Sequence, residues 1–68
     1  MIADDAELRG TLARIMWFQD QVLLLRATEK NPANYHAATG GFLTEIDRMQ
    51  REAREYLSLH PGELVGAA

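Results

Sequence analysis

The side chains able to do chemistry are few in this 68-residue chain, and they are widely spaced. His36 and His60 are the only histidines, and no cysteine accompanies them. There is no His-Glu-x-x-His pattern, and no Glu-x-x-His pattern of the kind that lines metal-binding bundles. Ser58 is the only serine and has no histidine–acid constellation to activate it. Thr39-Gly40-Gly41 lacks the spacing of a phosphate-binding loop and the strand that would precede one. Asp47, Arg48, Arg51, Glu52, Arg54 and Glu55 interleave opposite charges. Such a run reads as a solvated helix face. These residues imply no catalytic site, no cofactor and no metal, and the chain reads as a non-enzyme.

Composition narrows the remaining classes. Hydrophobic residues make up 47% of the chain, charged residues 25%, and two residues are proline, which is a globular composition. The net charge of −3 and the neutralised arginines argue against nucleic acid. No apolar run is longer than the four residues of Val22–Leu25, far too short to span a bilayer. The acidic start (Asp4, Asp5, Glu7) does not resemble a signal peptide, so a cytoplasmic location is expected. A lone core of this size rarely supplies more than ~3–5 kcal/mol, and no disulfide can add to it. The chain is therefore expected to share buried surface with a second copy or another protein.

The elements follow from periodicity. Asp4 is a good N-cap with Glu7 three residues on, and Leu8, Leu12, Ile15, Gln19, Val22 and Arg26 recur at helical spacing. Asn31-Pro32 starts a second helix, in which Tyr35, Thr39, Phe42, Ile46, Met49, Ala53 and Tyr56 form one stripe. His60-Pro61-Gly62 ends it. His60 itself reads as a residue at the negative end of the helix dipole. The expectation is an all-α single domain: an antiparallel hairpin of helices at about 4–28 and 32–59, with 61–68 a short flexible tail. Pairing the stripes layer by layer, Leu8 with Ala53 through Arg26 with Tyr35, gives residue numbers that always add to 61. The mirror point falls at Lys30/Asn31, where the turn lies. Within that seam Gln19 reads as a register-fixing polar layer. Arg26 would lie over Tyr35. The pair Gly40-Gly41 is expected to make room for Trp17 and Phe18 inside one continuous helix two.

More apolar side chains remain than one seam can cover. Trp17, Phe18, Leu24 and Leu25 on helix one, and Leu43 and Leu57 on helix two, are the candidate interface residues. The economical solution is a homodimer of hairpins forming a four-helix bundle. In architecture it is similar to the Rop-like hairpin that dimerises into an RNA-binding bundle.

The segments Asn31-Pro32-Ala33-Asn34-Tyr35, Gly41–Met49, Arg54-Glu55-Tyr56-Leu57 and His60-Pro61 resemble small uncharacterised bacterial helical-hairpin proteins. Some of these lie in toxin–antitoxin-type loci. The resemblance implies an antitoxin-like or accessory protein that binds a partner protein. Together with the apolar surplus, it makes a protein–protein interaction module the expected function; the alternatives are a purely structural oligomerisation bundle and, after it, a Rop-like nucleic-acid-binding bundle.

Overall fold

Short-range chemistry sets the helix boundaries. The Asp4 carboxylate accepts from the Glu7 backbone N–H at 2.8 Å, and Glu7 in turn accepts from the Ala3 N–H at 3.0 Å. These two bonds start α1 (Asp5–Thr28). The Asn31 side chain accepts from the N–H groups of Ala33 and Asn34, and Pro32 occupies the first position of α2 (Pro32–Leu57). Between them Glu29 accepts from the Asn31 N–H at 3.0 Å and tightens the turn.

The computed structural model describes the backbone of residues 1–66 and the side chains of residues 1–63. The two long helices pack against each other as an antiparallel hairpin, 51 Å long with a cross-section of 16 × 13 Å. Pro61–Gly66 forms a short helix, α3, where the sequence pattern implies a flexible tail; residues 67–68 lie outside the described residues. His60 caps this turn. Its Nδ1 accepts from the Gly62 N–H, and its own N–H donates to Glu63. The histidine thus begins a helix rather than closing one.

The core consists of two clusters along one seam. Ile15, Ile46 and Met49 form the central one, with Phe18 and Val22 packed against it. Leu8 and Ala53 form the other near the chain ends, with Tyr56 alongside. Ile2, which precedes the cap, folds back into this second cluster as a staple. The register is the expected one: Leu8 shares a cluster with Ala53, and Ile15 shares one with Ile46.

The stripe on α2 is also as expected, with all seven members from Tyr35 to Tyr56 buried or half-buried. Thr39 is the most enclosed residue at 1% exposure, and its hydroxyl donates back to the Tyr35 carbonyl at 2.8 Å. That bond satisfies a buried polar group without help from α1.

The stripe on α1 differs. Leu12, Gln19 and Arg26 are exposed, whereas Thr11, Phe18 and Leu25 are half-buried. The seam runs Leu8, Thr11, Ile15, Phe18, Val22, Leu25. Helix one has rolled so that Phe18 and Leu25 enter the hairpin in place of Gln19 and Arg26. Burying the two polar side chains would have needed partners that α2 does not offer. The two apolar ones gain by leaving water. Leu12 is the loser, at 46% exposure.

The expected role of Gly40-Gly41 also fails. The helix is continuous through both, but a Cβ built at either position meets nothing within 4 Å. No aromatic needs that space. The seam contacts of Thr39, Phe42 and Ile46 on either side hold the segment helical despite its poor propensity.

Two stability tests follow. Ile15→Ala or Ile46→Ala should cost about 2–5 kcal/mol, as for buried aliphatics generally. Gly41→Ala and Gly10→Ala, each with open space for the new methyl group, should stabilise by up to about 1 kcal/mol. Urea unfolding midpoints measure both, and a loss of stability in the alanine-for-glycine variants would contradict the open-space reading.

Candidate interaction surface

Each seam residue has a neighbour one position later and one position earlier in the chain, turned about 100° to either side of it. Because the helices are antiparallel, the later neighbours on both helices share one side of the hairpin, and the earlier neighbours share the other.

On the first side α1 presents Arg9, Leu12, Met16, Gln19, Leu23 and Arg26, and α2 presents His36, Gly40, Leu43, Asp47, Gln50, Arg54 and Leu57. Met16 is 64% exposed, and Leu23, Leu43 and Leu57 are also exposed. The register places Leu43 at the height of Phe18, between Met16 and Leu23. Leu12, Met16, Leu23 and Leu43 thus form an apolar patch at the middle of the rod, flanked by polar and charged side chains towards both ends.

On the second side α1 presents Trp17 and Leu24, at 55% and 56% exposure. The Trp17 ring stands edge-on to Phe18 with centroids 5.1 Å apart, and Phe18 meets Phe42 across the seam at 5.6 Å. A shallow hollow lined by Phe18, Ala38, Gly41, Phe42 and Glu45 adjoins them. The open space above Gly41 forms part of it. On α2 this side is ionic. Arg48 bridges Glu45 at 2.7 Å and Glu52 at 3.0 Å. The hydrogen bond and charge of Glu45 hold its guanidinium above its ordinary pKa. Within this charged run, Arg48–Glu52 is an i,i+4 ion pair. Asp47–Arg51 and Arg51–Glu55 are absent among the described residues.

The six candidate interface residues thus separate. Trp17, Leu24, Leu43 and Leu57 are exposed, whereas Phe18 and Leu25 are half-buried and belong to the hairpin's own seam. The sequence reading missed Leu12, Met16 and Leu23 as surface residues. It assigned Leu12 to the seam. The signal was present: Leu12, Met16 and Leu23 form a row of their own once Phe18 is placed inside.

At the turn, Arg26, Glu29, Lys30, Pro32, Tyr35 and His36 surround an open depression. Tyr35 stacks edge-on with its neighbour His36 rather than under Arg26. No group of metal-ligating side chains occurs among the described residues, and none of their helices is long and apolar enough to cross a membrane. No protein-family model, curated protein or solved structure matches the chain.

At the opposite end, the Tyr56 hydroxyl donates to Asp5 at 2.6 Å and ties the end of α2 to the start of α1. That hydrogen bond, then desolvation and the charges of Asp5, Asp4 and Glu7, push the phenol pKa up to about 12 from the ordinary 10.0. A pKa raised on folding means that the neutral phenol favours the native state. The stabilisation is complete below pH 10 and is lost as pH rises through 12. Tyr56→Phe should remove this alkaline loss. In the wild type, the absorbance of ionising tyrosine should show a late-titrating ring. A Tyr56 that ionises at its ordinary pKa in the folded chain would show that the tie is not made.

Proposed function

We propose that the chain is a non-enzymatic protein–protein interaction module: a helical hairpin that self-associates as a homodimeric four-helix bundle and receives another protein on a separate face. The observation that carries this reading is the presence of two exposed apolar surfaces on opposite flanks of one seam. Leu12, Met16, Leu23 and Leu43 form the first. Trp17 and Leu24 form the second, about 110° further round α1 from the mean direction of Leu12, Met16 and Leu23. A second hairpin laid on the first side leaves the second uncovered. A purely structural bundle has no use for a tryptophan left in water, whereas a binding module does. An antitoxin-like or accessory role is the form of this reading that the sequence resemblance suggests.

Sedimentation equilibrium tests the proposal. The wild type should be dimeric at micromolar concentration, Leu23→Glu should be monomeric, and Trp17→Ala should remain dimeric. Tryptophan emission should stay that of a solvent-exposed indole in the dimer. A well-folded wild-type monomer at high micromolar concentration would overturn the self-association, and loss of the dimer in Trp17→Ala would merge the two faces into one.

A further inference from the structure

Each of the three helices begins on a side chain that accepts a backbone N–H, and the three acceptors differ in kind. Asp4 supplies a carboxylate to α1, Asn31 an amide to α2, and His60 an imidazole nitrogen to α3. An amide does not titrate, and a carboxylate ordinarily stays charged above about pH 5. Imidazole is the one acceptor of the three that ordinarily changes charge between about pH 5 and 8.

The His60 arrangement is a capping box with the ring in the place of a hydroxyl. Its Nδ1 accepts from the Gly62 N–H at 2.9 Å, and the Glu63 carboxylate accepts from the His60 N–H at 2.9 Å. The Glu63 N–H donates to the His60 carbonyl at 2.9 Å, and Pro61 fills the first helical position. The bare Cα of Gly62 is part of the fit, since a Cβ there would stand 3.1 Å from Nδ1. Accepting at Nδ1 leaves the proton of the neutral ring on Nε2.

Little else holds α3. It has six residues, too few for a helix to persist in water unaided, and among the described residues it packs against neither α1 nor α2. Protonation turns Nδ1 into a donor that faces another donor, and it puts a positive charge at the positive end of the α3 dipole. Three residues back α2 ends at Leu57, and the carbonyl end of a helix favours a cation. His60 thus stands between two helix ends of opposite sign, and its two charge states suit different ones. Glu63 binds the backbone N–H of His60, and among the described residues neither it nor any carboxylate of α2 forms an ion pair with the ring.

We infer that His60 is a pH-operated switch for α3. The neutral ring starts the helix and the imidazolium releases it, so the segment leaving the hairpin is helical near pH 8 and unwound near pH 5.

Nuclear magnetic resonance on the full chain tests this. Backbone carbon shifts of residues 61–63 follow α3, and ring nitrogen shifts follow His60, with His36 at the other end of the rod as a control. At pH 8 the His60 ring should show the Nε2–H tautomer. Lowering the pH to 5 should reduce the helix-to-coil ratio of α3 on the order of five-fold, the effect of losing an N-cap, in step with protonation of His60 and not of His36. His60→Asn keeps a cap that does not titrate, and α3 should then be helical at both pH values. Glu63→Gln preserves the box, and the pH response should remain. An α3 that stays helical while His60 protonates, or that is unwound already at pH 8, overturns the switch. So does a pH response that survives in His60→Asn or vanishes in Glu63→Gln, because the titrating group would then be another one.

Discussion

Two helices in contact cover one stripe on each other, and the side chains beside those stripes stay in water unless a third element arrives. In this chain that limit falls almost entirely on α1. Helix α2 suits a single seam: its buried stripe is bordered by Asp47, Arg48, Arg51, Arg54 and Glu55, all exposed. Helix α1 carries apolar residues around most of its circumference, and whichever stripe it turns inward, others remain outside.

The stripe it turns inward is decided by its polar members. Gln19 and Arg26 lie on one candidate seam, and Phe18 and Leu25 lie on the adjacent one. Rolling by a fraction of a turn exchanges these pairs without disturbing Leu8, Ile15 or Val22, which serve either choice. The roll brings Phe18 against Phe42 and exposes Leu12. Register along the axis and rotation about it are thus set by different residues. The turn and the shared aliphatics fix the first, and the aromatic-for-amide exchange fixes the second.

This separation explains what could be read from the sequence. The caps at Asp4 and Asn31, the turn, the register and the whole α2 stripe were legible because each rests on a local pattern or on spacing from the turn. The face of α1 was not, because Leu12–Gln19–Arg26 and Thr11–Phe18–Leu25 have identical spacing and differ only in what burial costs. Ile2 was missed because it precedes its cap and has no periodicity to announce it. The glycine pair was misread because helical level alone places Gly40 and Gly41 near Trp17 and Phe18, whereas contact depends on the direction in which each Cβ would point. The Tyr56–Asp5 tie joins residues 51 positions apart, and spacing along either helix does not reveal it.

The asymmetry between the helices also bears on how an assembly would divide its labour. The ionic face of α2, with Arg48 held between Glu45 and Glu52, stays hydrated at little cost and adds little by being buried. Any apolar contact must therefore be made mainly by α1, with Leu43 and Leu57 as the α2 contributions. The back of α1, between its two apolar rows, carries Ala13, Asp20 and Ala27. Two alanines offer little to grip, and one carboxylate resists burial, so this strip separates the rows instead of fusing them into one broad patch. A helix with two apolar rows divided by a weak strip can be covered from two directions by two different bodies. The hairpin seam already occupies a third direction. Helix α1 then becomes the common core element of whatever forms, and α2 remains its outer wall.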